Sequence, residues 1–293
     1  MKNRSKFRLG EFLVPYFFIT PFMVSFIAFF LVPAVYSLVL SFFQYKGYGA
    51  MRFLGVRNYI SLFTYRTFWF SLRNTFFYFI VHTIPTMILA FTWAFMLQSK
   101  LMSTAQRVFK PVLFLPQVVP IIASALIWRI LLARDFGAVN QIMGTSIDFL
   151  RDTSIRKWAV VVLMIWRATG WYMIIYLAGL TTIGDEIYDA AKIDGANAFQ
   201  RIFRVVLPMM KPIILFAFIM NAIGSIKVYT EPDVLLTMST ASVQPDAMGV
   251  MHVLLMNLRG ANFGMAAAVG WIVFILASLM TLGWFKVLGN KGD

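Results

Sequence analysis

The sequence contains no cysteine, only 12 acidic residues and only 2 histidines in 293 positions. The missing cysteine excludes disulfides, thiolate metal ligands and a thiol nucleophile together, and leaves the redox compartment open. Charge is scarce too: 13% of residues are charged, against about 25% in an ordinary soluble domain. No GxxxxGK[ST] loop is present to cradle nucleotide phosphates. No HExxH occurs, and His82 and His252 are too isolated to suggest a metal site. Both read as hydrogen-bonded structural residues. No Gly/Ser linker, low-complexity tract or internal repeat divides the chain, which reads as one integral domain.

Apolar residues fill the space left by charge. They make up 60% of the chain and include 30 Phe, 8 Trp and 11 Tyr. A soluble fold of this length has too little interior to hide them, so much of that surface must face lipid. The net charge of +14 would suggest nucleic acid in a soluble protein. Here the basic residues are scattered singly between apolar runs. The one cluster, Lys2, Arg4, Lys6 and Arg8, stands directly before the first run, where it suits anionic headgroups. The expected environment is a lipid bilayer.

A helix crossing about 30 Å of hydrocarbon needs about 20 residues. Four charge-free runs meet that length: Phe12–Tyr45, Asn74–Ser99, Pro111–Trp128 and Gly260–Phe285. Trp158–Gly184 is broken only by Arg167, and Pro212–Ile226 spans if it continues past a snorkelling Lys227 to about Thr230. Six spans result, near 12–43, 70–98, 109–132, 158–180, 211–230 and 263–286, in an all-α domain over 12–290. The first apolar run exceeds the about 7–15 residues of a signal peptide's core. It reads as a retained helix bent at Pro15, Pro21 and Pro33.

Six crossings place both termini on one side, with residues 1–11 as a cytoplasmic segment. The inside stretches 1–11, 98–111, 181–211 and 286–293 then carry 13 basic residues in 64 positions. The outside stretches 44–73, 133–157 and 227–262 carry 11 in 91, so the bias has the sign expected for cytoplasmic ends. No acid falls within the spans, whereas ion-coupled transporters usually carry titratable chains at mid-membrane. A transporter of this composition draws its energy from another polypeptide.

The loop 184–210, before the fifth span, is the most patterned stretch. Glu186–Ile193 reads as a short helix opened by acids that suit its N-terminal dipole, and Asp194-Gly195 as a turn. Ala198–Val206 reads as a second helix with Phe199, Ile202, Phe203 and Val206 on one face, and Pro208 and Pro212 lead into span five. Two uses fit: a projection seated in a partner's groove, or an amphipathic connector on the membrane surface.

The same loop resembles the EAA loop of permease subunits from bacterial ATP-binding-cassette importers, patterned E-A-A-x-x-x-G and then I-x-L-P. Here it stands as Asp189-Ala190-Ala191-Lys192-Ile193-Asp194-Gly195 followed by Val205-Val206-Leu207-Pro208, with Asp in the first place. Arg57–Phe63, Phe114-Leu115-Pro116, Trp128, Gly137–Asn140 and Leu177–Leu180 are also similar to carbohydrate-importing members, chiefly the larger membrane subunit of maltose-type systems. The chain departs from that subunit in showing no extra N-terminal helices and no large periplasmic insertion.

The resemblance implies a type I importer permease in a bacterial plasma (inner) membrane. It implies that Glu186, Asp189, Ala190, Ala191, Asp194, Gly195, Phe199, Phe203 and Pro208 couple to an ATPase. The implied partners are a second, related permease, two cytosolic ATPase subunits and an extracytoplasmic solute-binding protein. ATP and Mg would be used by the ATPase, with no cofactor, metal or catalytic residue in this chain.

The substrate pathway is sought on span five. Asn221, Ser225 and Tyr229 follow at i, i+4 and i+8, and Gly224 beside them leaves room for a ring. Hydroxyls, amides and aromatics suit a sugar, and the same residues also suit helix–helix packing. On span four, Trp171 and Tyr172 face the question from the other side, and by resemblance Trp171 takes the place of a sugar-stacking aromatic. Arg167 is costly in lipid and so should face a cavity or a carbonyl. With Lys227 and Arg129 it also raises an acidic oligosaccharide or a glycerol-phosphate-like solute as substrate. The outer loop 231–259 either meets the binding protein or caps the last two spans. Rival readings are a self-contained, gradient-driven facilitator or channel, and a membrane enzyme acting on lipid-linked sugars. The latter lacks paired acids or a metal site.

Overall fold

The computed structural model describes residues 9–98, 103–237 and 244–289. The basic cluster Lys2, Arg4, Lys6 and Arg8, and part of the outer loop 231–259, lie outside them. The described residues are overwhelmingly helical and form two compact units. One comprises the chain up to Thr64 with Leu254–Trp271; the other comprises Tyr65–Val253 with the chain from Ile272 onward.

In the first unit, α1 (Leu9–Phe26) passes through a π turn, Ile27–Leu31, into α2 (Val32–Leu40). The widened turn precedes Pro33, whose ring would clash with the regular ladder, so the helix continues instead of breaking. Almost none of this helix is buried: Phe17 and Phe18 are each 76% exposed and Phe29 83%. Such an apolar, unburied helix needs lipid or another chain around it. A two-residue antiparallel pair, β1 (Phe43–Gln44) and β2 (Arg52–Phe53), follows and leads to α3 (Arg57–Thr64). Asn58 closes the turn by donating to the carbonyls of Ser41 at 2.8 Å and Phe43 at 3.0 Å.

In the second unit, α4 (Arg66–Gln98) lies along α8 (Arg156–Leu180), flanked by α5 (Ser103–Val118) and α11 (Leu207–Ile226). Gly170 lets α5 approach closely, since a Cβ there would sit 1.9 Å from the Leu113 carbonyl. Two apolar clusters make the core. One gathers Tyr78, Val160, Leu163, Met164 and Leu235; the other gathers Met87, Leu97, Met173, Tyr176, Leu180 and Met210. Short helices α6 (Ile121–Leu131), α7 (Ala138–Met143), α9 (Asp185–Ile193), α10 (Ala198–Arg201), α12 (Thr230–Thr237) and α13 (Val250–Arg259) complete the described set with the long α14 (Phe263–Gly289).

Two of the expected spans take a different form. The run 109–132 is not one rod: α5 and α6 meet at an angle of 101° around Pro120, whose extended φ/ψ ends one helix before the next begins. By length and composition the described residues give five crossing helices, or six if this bent pair counts as one. Span five is helical from Ala198 to Ile226 rather than 211–230. A second π turn, Ile202–Val206, precedes Pro208 and carries the helix through it, so the second helix of the patterned loop and the span are one rod.

Candidate functional site

The second unit contains a cavity of about 230 Å³ between its two apolar clusters. Its lining comes from five helices: His82 of α4, Gln117 of α5, Met164, Arg167, Ala168, Trp171 and Tyr172 of α8, Asn221, Gly224 and Ser225 of α11, and Glu231 of α12. Six of the seven expected pathway residues therefore meet here: Arg167, Trp171, Tyr172, Asn221, Gly224 and Ser225. A Cβ added at Gly224 would meet nothing within 4 Å, which leaves the α11 face open to the cavity.

Tyr229 does not join them. Helix α11 ends at Ile226 with Lys227 as its C-cap, so the i+8 position leaves the stripe. The Tyr229 ring packs instead on His252, with centroids 4.7 Å apart.

A buried polar knot joins α4 to α11 beside the cavity. Thr83 donates to the Asn221 side-chain carbonyl at 2.8 Å, and His82 Nδ1 lies 2.9 Å from the Ser225 hydroxyl. Ser225 donates back to the Asn221 main-chain carbonyl at 2.9 Å. In lipid such interhelical bonds contribute about 0.6 kcal/mol each on average. His82 was expected to be purely structural; it is hydrogen-bonded, and it also lines the cavity. The signal lay in α4 itself, where Ser71, Thr75, Tyr78, His82 and Thr86 recur at helical spacing and are all buried.

Arg167 faces the cavity, as its cost in lipid requires, and lies 3.9 Å from Glu231. The pair is mostly shielded, with side chains 15% and 17% exposed. Glu231 is the acid that span counting missed: it follows span five in sequence and still reaches the charge on α8. Trp171 stacks on Phe114 at 6.1 Å and 26° and offers the cavity an aromatic face. Arg129 lines a separate pocket at the end of α6, and Lys227 is exposed, so neither reinforces Arg167 in the cavity.

Above the cavity, residues 244–249 are drawn into the unit. Asn74 donates to the carbonyls of Pro245 and Met248, both at 3.0 Å, and Tyr78 to that of Ala247 at 2.8 Å. Arg156 grips the Asp246 carboxylate with two bonds, from Nε at 2.6 Å and from Nη2.

The patterned loop occupies another part of the unit. Ala196 donates to the Ala191 carbonyl and Gly195 to that of Lys192, both at 3.0 Å, ending α9 in a left-handed turn at Gly195 with φ +75°. Asn197 and Gln200 exchange bonds as a capping box that starts α10. Glu186, Asp189, Ala190, Asp194 and Pro208 are exposed, and Ala191 is buried. Ile193, Phe199 and Phe203 are 86%, 67% and 53% exposed, an apolar surface of the kind that marks a docking site. Gln98 at the end of α4 accepts from Tyr188 of α9 at 3.3 Å and donates to the Leu180 carbonyl at 2.9 Å.

Residues 58–291 match the family described as binding-protein-dependent transport system inner membrane component. The chain is 30% identical to the probable ABC transporter permease protein YesP of Bacillus subtilis, over 94% of this chain and 90% of that one. It is 36% identical to the lactose transport system permease protein LacF of Rhizobium radiobacter, over 73% of each. A crystal structure of a bacterial ABC transporter that imports the acidic polysaccharide alginate contains a chain of the same fold. Its TM-score is 0.84 at 20% identity, over 98% of this chain and all of that one.

Proposed function

The chain belongs to the binding-protein-dependent transport inner membrane components, and from that membership we propose that it forms half of the pathway of an ATP-driven sugar or oligosaccharide importer working by alternating access. The observation that carries the reading is the cavity. Amides, hydroxyls, an arginine–glutamate pair and a stacked tryptophan converge between helices of a lipid-embedded unit, beside the broken pair α5 and α6. Transporters commonly place their sites near the midplane at such discontinuous helices. LacF is named for lactose transport, which agrees with a carbohydrate.

In this reading both termini are cytoplasmic and the loop 184–210 seats in a cleft of the ATPase. Gly195, Asp189, Ala190 and Glu186 shape the contact, the buried Ala191 supports it from within, and Phe199 and Phe203 supply its apolar face. A second permease completes the pathway, two cytosolic ATPase subunits bind ATP and Mg, and an extracytoplasmic binding protein delivers the substrate. This chain performs no covalent chemistry. A photo-crosslinking amino acid at exposed Ile193 tests the arrangement in cells. Capture of the ATPase subunit is the expected result; capture of lipid alone would place the loop on the membrane and remove the coupling role.

A further inference from the structure

The hydrogen-bond donors around His82 can be counted. Ser225 has one hydroxyl proton and donates it to the Asn221 main-chain carbonyl. Thr83 spends its own on the Asn221 side chain. The Ser225 oxygen also lies 2.9 Å from His82 Nδ1, a contact that runs either way according to the ring tautomer. In either neutral tautomer Nδ1 is engaged by Ser225 and Nε2 is the ring nitrogen left over, an acceptor in one and a donor in the other. A second ring proton would place another cation in the shielded cavity that already holds Arg167.

Nε2 of His82 is buried and has no hydrogen-bond partner. Arg167 Nε is likewise buried and unpartnered, and it is a donor. Two buried lining atoms, His82 Nε2 and the donor Arg167 Nε, thus stand without partners beside the Trp171 face. A sugar hydroxyl both donates and accepts, and a sugar ring has an apolar face to stack. The only charged lining groups, Arg167 and Glu231, oppose each other at 3.9 Å, so the lining carries no net charge. A carboxylated sugar would win Arg167 only by displacing Glu231.

We propose that His82 contacts a substrate hydroxyl through Nε2, and that Glu231 tunes this half of the pathway to uncharged sugars and against uronates. The proposal rests on the importer reading above and narrows its substrate class. It deepens a residue that the sequence left as a structural histidine.

The absence of cysteine supplies a clean test. In the full transport complex in nanodiscs, Gly224→Cys places this chain's only thiol where the cavity is open. Its labelling by a small maleimide is followed on this chain by mass, with lactose, raffinose and maltotriose against digalacturonate and trigalacturonate. Neutral sugars are expected to slow labelling, and the uronates to have no effect at the same concentration. Adding His82→Leu should raise the protecting concentration about tenfold, the worth of one lost hydrogen bond, with His82→Gln recovering part of it through its amide. Adding Glu231→Gln should let the uronates protect. Protection by uronates in the single variant, or unchanged protection after His82→Leu, would overturn this proposal while leaving the importer reading intact. No protection by any sugar of either class would overturn the sugar reading and this proposal together.

Discussion

The Tyr188 hydroxyl of α9 donates a 3.3 Å hydrogen bond to the side chain of Gln98, the last residue of α4. Gln98 in turn holds the Leu180 carbonyl at the end of α8, so one amide ties the patterned loop to the two longest helices of the cavity. Ile187 and Tyr188 also pack against the apolar cluster of Met87, Tyr176 and Leu180. If the loop couples to an ATPase, these contacts are the route by which a movement of α9 would reach α4 and α8. Tyr188→Phe keeps the packing and removes the bond, worth about 1 kcal/mol. The expected outcome is unchanged membrane content with roughly fivefold less sugar carried per ATP hydrolysed. Equal ratios in proteoliposomes would show that packing alone carries the motion.

Gly195 sits at φ +75°, a backbone conformation that costs an ordinary L-residue about 1–2 kcal/mol. Nothing lies within 4 Å of a Cβ built there, so a side chain would project into whatever covers the turn. Gly195→Val should abolish uptake while the chain remains in the membrane at normal level. The check is transport and immunoblot on the same cells, and normal uptake would remove the turn from coupling.

Asn221 is 2% exposed and anchors both Thr83 and Ser225 at the cavity. Asn221→Ala should raise the substrate concentration for half-maximal transport about tenfold and release ATP hydrolysis from substrate control. Uptake kinetics and ATPase assays on the reconstituted complex read both effects. Unchanged kinetics would leave Asn221 as helix packing only.

Arg167 and Glu231 predict an ordering rather than a single loss. Arg167→Met strands a shielded carboxylate and should destabilise the complex by about 2 kcal/mol. Arg167→Met with Glu231→Gln removes both charges and should restore most of that loss. Thermal unfolding of the purified complex measures the order, and a double variant less stable than the single would show that the two groups act independently.

Much of this site was legible because its parts are local. Asn221 and Ser225 share a face at i, i+4 in any helix, and the rarity of Arg in lipid singles out Arg167. The Asp194-Gly195 turn is chain chemistry that needs no tertiary contact. What escaped is what depends on distant partners or on helix ends. Glu231 follows the fifth span and meets Arg167, 64 positions earlier, only once α12 folds back toward α8. Tyr229 fell off its stripe because α11 stops at Ile226, having gained its length at Ala198 through a π turn that rescues Pro208. The bend of α5 against α6 hid within an unbroken apolar run, since hydropathy does not distinguish a straight helix from a folded pair.

In the proposed importer, this chain carries sugar only when a partner ATPase drives the loop 184–210. This dependence is tested most directly by sugar uptake into proteoliposomes holding the chain and its partner permease, with and without the ATPase subunits, binding protein and enclosed ATP. The account predicts accumulation against a gradient only with all components and ATP, and none with Gly195→Val. Uptake by the permease pair alone, indifferent to ATP, would contradict it and establish a facilitator.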